Sequence, residues 1–418
     1  MNPAGVRIDD LARPRLDAAQ RAAIEAAEAR PVTLTVESVL ETARLRSGLD
    51  DFGPMEFTAR LAVWLEAVDE DPGHRAIARA GVFEDCVRYA TNRARLERLW
   101  REHPEIDEVR VRAPIVIAGL PRSGTTHLVN LIAADRRLRS LPYWESREPV
   151  PDHREPDGSP DPRLVRCREA SAGLDAMLPL LRAMHHMTPE HVHEEIELEA
   201  IDFSSYILEW NARVPRWRDH YLAADETPHY AYMRRVLATL QWLGGPDRWV
   251  LKSPQHMEQL PVLCATFPDA TYVLPHRDPT DVIASTATMM AYGDRLRRRR
   301  VDPVETGAYW CDRIGRILDA CVRDRDVLPA AQTVDLPFDE FVGDELGAVE
   351  RIYRTADLEM DDDARRRLVA YRDDNPRGKK GRIAYDLEAD FGLRAEALRE
   401  RFTEYRRRFG LAEEGTDG

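Results

Sequence analysis

The chain reads as an α/β protein, a mostly parallel central sheet flanked by helices in three layers, with a helical extension before it and a helical insertion within it. Three observations predict this. From residue 111 onward, short β-branched runs alternate with helical patterns, which implies right-handed crossovers between parallel strands. The first run enters a helix through a loop of small and basic residues, Gly119-Leu-Pro-Arg-Ser-Gly-Thr-Thr. Residues 1–110 show helical apolar spacing and no comparable runs.

Taken in order, the extension carries three amphipathic patterns, opening at Thr33, at Glu56 and at Tyr89. It holds no catalytic constellation and is expected to pack on the α/β domain, residues 111–410. Strands are expected at 114–118, 248–251, 270–274 and 332–336, each followed by a loop and a helix. Ligands of such sheets bind at the carboxyl ends of strands. The loops 119–126, 252–256 and 275–285 would therefore share one edge. Residues 149–162, rich in Pro, Asp, Glu and Gly, read as an exposed loop. The insertion, about 164–245, carries Tyr206, Trp210, Trp217, Tyr221, Tyr230, Tyr232 and Trp242. These are expected mostly in the core, with a few lining an apolar pocket. Five arginines within 295–300 read as a solvated helix end or a lid over bound phosphates. One amphipathic helix over 395–409 and a polar tail, 411–418, close the chain.

Composition narrows the function. Of 418 residues, 43% are hydrophobic and 32% charged, as in a soluble globular protein. The net charge of −14 argues against non-specific binding to nucleic acid or anionic membranes. An anionic ligand would need a local cluster of cations. No apolar run suits a membrane span or a secretory signal. Five scattered cysteines without a Cys-x-x-Cys pair read as reduced thiols of a cytoplasmic protein. Oligomeric state leaves no mark in the sequence.

The loop at 119–126 carries the chemistry. A helix N-terminus presents free amides and a favourable dipole to an anion. Gly119 and Gly124 are spaced as in the triphosphate loop Gly-x4-Gly-Lys-Ser/Thr, a P-loop-type arrangement. Thr125 stands where the lysine would be, and Arg122 lies inside the loop instead. The spacing indicates a phosphate-type anion, and the missing lysine argues against ATP or GTP. In the second loop, Lys252 ends a strand, Ser253-Pro254 marks a helix start, and His256 falls in its first turn. Lys and His on one edge suit proton transfer from a hydroxyl beside a leaving anion. In the third loop, Arg277 precedes another helix start, Asp278-Pro279, and Ser285 follows within the helix. Both could hydrogen-bond a second phosphate.

Together the three loops resemble the sulfotransferases that use 3′-phosphoadenosine 5′-phosphosulfate (PAPS), and in particular a bacterial branch with Pro-Arg-Ser-Gly-Thr-Thr. The 119–126 loop looks like their 5′-phosphosulfate loop, Arg277 and Ser285 like their 3′-phosphate signature Arg-x7-Ser, and Leu251-Lys-Ser-Pro-Gln-His like the bacterial segment before it. Gly48-Leu-Asp-Asp-Phe-Gly and Tyr385-Asp-Leu-Glu-Ala-Asp-Phe-Gly-Leu extend the resemblance to both ends. The resemblance implies transfer of a sulfuryl group from PAPS, leaving PAP, to a hydroxyl or amine of a small-molecule, lipid or glycan acceptor. No metal is required. It implies that Pro121, Arg122, Ser123, Gly124, Thr125 and Thr126 bind the phosphosulfate, with Arg122 also catalytic. Lys252 would stabilise the leaving oxygen and His256 would be the base. Those relatives close the 3′-phosphate site with a C-terminal basic segment. Its counterpart here is 377–382, with Lys379, Lys380 and Arg382 as candidates.

His191, His193, Glu194 and Glu195 could also be read as metal ligands. Glu197 stands where a zincin would need its second histidine. Thr188-Pro189 reads as a helix start instead, and Glu194 or Glu195 is the alternative catalytic base. An ATP-dependent phosphotransferase and a catalytically silent nucleotide-binding protein are the competing functions. Thr125 argues against the first, and Lys252 with His256 against the second.

Overall fold

The computed structural model describes residues 5–155, 160–376, 379 and 381–411. Its main sheet has five strands: β2 (Ile115–Ala118), β3 (Leu138–Arg139), β4 (Arg248–Ser253), β5 (Thr271–His276) and β6 (Thr333–Pro337). They run in the order β3-β4-β2-β5-β6, all parallel. The four expected strands are present, and β3 is an addition too short to signal itself. A separate parallel pair, β1 (Val6–Arg7) with β7 (Ile383–Ala384), ties the two chain ends together.

β2 is buried along its whole length. Ile115 and Ile117 face one core with Leu128, Val129 and Ile132, while Val116 and Ala118 face another. Alternation of this kind is what a strand covered on both faces produces. The second core also contains Val39, Trp64 and Leu96 of the N-terminal helices and Tyr206, Trp217, Tyr221 and Tyr230 of the insertion. The N-terminal helices are α1 (Ala18–Glu28), α2 (Val36–Ser47), α3 (Phe57–Asp69) and α4 (Ala76–Glu102). α2 opens on a capping box in which Thr35 accepts from the Ser38 N–H and Ser38 answers the Thr35 N–H.

Four sequence expectations need correction. Residues 188–195 do not start a helix: they cross the sheet edge in extended and turn conformation, bridged to Pro142 at Val192, and the helix begins at Ile196. The arginines of 295–300 form a solvated end only at Arg299 and Arg300. Arg295 bonds Asp10 at 2.8 Å and Arg298 bonds Asp71 at 2.9 Å, fastening the N-terminal segments. The 149–162 loop is anchored at its start, because Asp152 is buried between Arg95 and Arg154 at 2.7 Å from each. The C-terminal helix breaks at Phe402 into Ala395–Arg401 and Thr403–Arg408. The polar tail from residue 412 lies outside the described residues.

Candidate active site

The register sets the site. Ile117 pairs with Lys252 and Ala118 with Ser253, so the second loop begins beside the first. β2 ends at Ala118, and α5 (Thr125–Ile132) starts after the loop. The first amides of a helix have no intrahelical acceptor, so those opening α5 are free for an anion. At Gly119 a Cβ would lie 2.6 Å from Thr125 Cγ2 and 3.1 Å from Pro275. At Gly124, φ is +83° and a Cβ would press on the Phe338 ring at 3.0 Å. Both close approaches demand glycine.

Arg122 also has positive φ, 66°, which is costly for a bulky residue and persists only where its surroundings enforce it. Two contacts enforce it here. Arg122 Nε donates to Ser285 Oγ at 3.0 Å, and Arg277 Nη1 donates to the Arg122 carbonyl at 2.7 Å. Arg277 also pairs with Asp281 at 2.9 Å and lies 4.5 Å over the Phe338 ring. Among the described residues no carboxylate pairs with Arg122 within 4 Å. Burial first, and then the neighbouring Arg277 charge, lower its pKa to about 10.

Beside this loop, Asn130 of α5 pins the 188–195 segment: its Oδ1 accepts the Val192 N–H at 3.0 Å. Two adjacent carboxylates then point opposite ways. Glu194 lines a cavity of about 720 Å³ and accepts from Lys252 Nζ. Glu195 is fully buried and accepts the Lys252 backbone N–H at 2.9 and 3.1 Å. The loop residues Pro121, Arg122, Gly124, Thr125 and Thr126 line the same cavity, as do Arg277 and Phe338.

A sulfotransferase family model matches residues 114–362, more than half of the chain. The chain belongs to the sulfotransferase family. Two solved structures agree with the assignment. Sulfotransferase STF1 from Mycobacterium tuberculosis H37Rv is 29% identical, with a TM-score of 0.77 over 88% of this chain and 98% of that one. Sulfotransferase STF9 from Mycobacterium avium is 25% identical, with a TM-score of 0.81 over 92% of this chain and 98% of that one. No curated protein matches.

In this sulfotransferase the predicted residues are unevenly gathered. Ser123 is buried and its hydroxyl donates to the Leu120 carbonyl at 2.6 Å, shaping the loop instead of facing the cavity. Lys252 is 2% exposed, behind Glu194. His256 is fully buried and does not line the cavity. Its Nδ1 lies 2.9 Å from the Tyr230 hydroxyl and its Nε2 3.4 Å from Glu195. Lys379 and Arg382 are exposed and off the cavity wall. Lys379 donates to the Asp374 carbonyl, and the Arg382 carbonyl accepts from Val6 at 2.8 Å. Lys380 lies outside the described residues. His191 and His193 do not assemble a metal site: among the described residues no such cluster exists. Burial, then the Lys252 charge, hold His193 well below the usual imidazole range and His191 at about 4. Asn130 and Phe338 went unnoticed as site residues in the sequence, since each acts through a partner far along the chain.

Proposed function

We propose that this sulfotransferase moves the sulfuryl group of PAPS to an acceptor hydroxyl, with Glu194 as the base. The observation that carries the reading is one cavity lined both by the loop with Arg122 and Arg277 and by Glu194, which accepts from the buried Lys252 behind it. The loop amides of 122–126 with Thr125 and Thr126 would hold the 5′-phosphosulfate, and Arg277 with Ser285 the 3′-phosphate. The acceptor oxygen attacks sulfur as the bond from sulfur to the phosphate oxygen breaks. Glu194 takes the hydroxyl proton, and the electron pair leaves on PAP. Lys252, bonded to Glu194, would meet the charge developing on the leaving oxygen. Positioning supplies the rest of the rate. Glu195, which holds the Lys252 backbone, and His256, which lies beside Glu195, would be positioning residues. No step calls for a metal.

The test combines calorimetry with PAP and transfer of labelled sulfuryl from PAPS to a panel of alcohols, phenols and glycans. Binding of PAP together with a labelled product supports the reading. ATP with magnesium binding more tightly than PAP overturns it in favour of a phosphotransferase.

A further inference from the structure

Away from the loop, the cavity wall changes character. It is formed by Leu174, Leu178, Leu181, Met289, Met290 and Leu296, drawn from the helices Pro162–Met177, Leu181–Met184 and Pro279–Arg297 and the turn between the first two. Leu174 is 47% exposed although it lines the cavity, so the apolar wall continues out to the surface there.

Most charged groups on this half already have partners within the protein. Arg88 Nη2 donates to Glu197 at 3.0 Å and to Asp85 at 3.1 Å. Asn211 donates to Asp85 at 3.3 Å, and Tyr89 to Glu197 at 3.3 Å. Arg297 donates to the Trp210 carbonyl at 2.7 Å and lies 3.4 Å from Asp294. Arg182 lies 3.4 Å from Asp175. The exceptions are the buried Ser171 hydroxyl and the Nε atoms of Arg88 and Arg297, which have no hydrogen-bond partner among the described residues, and Arg147, which donates to the Tyr143 hydroxyl at 3.2 Å. A sugar would bury a ring of hydroxyls, each needing a free partner, and each unmatched one weakens binding. A hydrocarbon needs none and gains from every methylene removed from water. The cavity volume of about 720 Å³ lies within the range of small-molecule sites, roughly 300–1,000 Å³, and is too small for a folded macromolecule.

We propose that the acceptor is a predominantly apolar alcohol. It would place its hydroxyl at Glu194, run its hydrocarbon body along Leu178 and Met289, and leave past Leu174. This rests on the sulfotransfer reading above and narrows its acceptor class.

The experiment measures kcat/KM with PAPS for linear primary alcohols from hexanol to dodecanol and for trehalose and an alkyl-free glucoside, alongside PAP calorimetry. The expected result is a rise of about fourfold per added methylene until the chain reaches the mouth, with both sugars far below. Leu174→Glu, at a half-exposed position, should flatten the last steps of the series. A flat series, or a sugar that outruns the alcohols, overturns the proposal. PAP binding without turnover of any alcohol overturns it too, while leaving the nucleotide reading intact. Absence of PAP binding removes both.

Discussion

At the loop end of the cavity, Arg122 has no carboxylate partner within 4 Å among the described residues, and Arg277 adds a second cation beside it. At the insertion end, Arg88 is shared between Asp85 and Glu197, and in the core Arg313 is enclosed by Glu209 and Glu258 at 2.6 Å from each. The first end has cationic capacity to offer a ligand. The second has paired most of its polar groups internally and offers hydrocarbon. A cavity of this kind discriminates by charge at one end and by apolar area at the other, and Glu194 stands where the two meet.

The largest effect is expected at that meeting point. Glu194→Gln should lower kcat by roughly 10²–10⁴-fold, the usual worth of a positioned base, with PAP affinity by calorimetry nearly unchanged. Near-normal turnover would return the base to His256 and would need the buried ring to reach the cavity. The internally balanced end is tested by Arg313→Ala. It strands two buried carboxylates, which pushes Glu209 further toward its neutral form than burial already does. A loss of about 3–5 kcal/mol of stability is expected in urea unfolding. A loss below 1 kcal/mol would mean that Arg313 is not what compensates these acids. The cationic end is tested by Arg277→Ala. Removing a charged hydrogen-bond donor is worth about 1.5–3 kcal/mol, a tenfold to hundredfold weaker PAP complex. Unchanged affinity would detach Arg277 from the 3′-phosphate.

The same division explains what could be read from the chain. The loop end is built from neighbours in sequence. Strand, Gly119, Arg122, Gly124 and the helix start follow one another, and the parallel sheet aligns Lys252 and Arg277 with them through strand periodicity alone. The insertion end is built from distant partners. Asn130 reaches Val192, Tyr230 reaches His256, and Arg88 reaches Glu197, and no local pattern encodes such pairings. Glu194 and Glu195 illustrate the limit. Adjacent and chemically identical, they were interchangeable candidates in the sequence. Only the extended path of 188–195, held by Asn130, turns one to the cavity and the other to the Lys252 amide. The helix expected at Thr188-Pro189 is absent because tertiary hydrogen bonds from α5 and Leu141 capture this backbone first.

The smallest expected effect concerns the acids beneath the insertion end. Glu226 is 1% exposed, and its Oε1 accepts from the Ser204 hydroxyl at 2.7 Å while its Oε2 has no partner. Burial raises its pKa from 4.5 to about 8, and burial with neighbouring carboxylates raises Glu199 in the same direction. Between pH 4.5 and 8 the folded chain therefore keeps a proton at Glu226 that the unfolded chain releases. The contribution of Glu226 to stability therefore falls as pH rises through that window and levels off above it, by on the order of 1 kcal/mol per pH unit. Glu226→Gln fixes the neutral form and can still accept from Ser204. Urea unfolding at pH 5.5 and 7.5 should show a smaller drop for the variant than for the native chain, the two being nearly equal at the lower pH. Parallel drops would mean that Glu226 is already ionised in the fold, and the insertion end would then hold an unpaired charge as the loop end does.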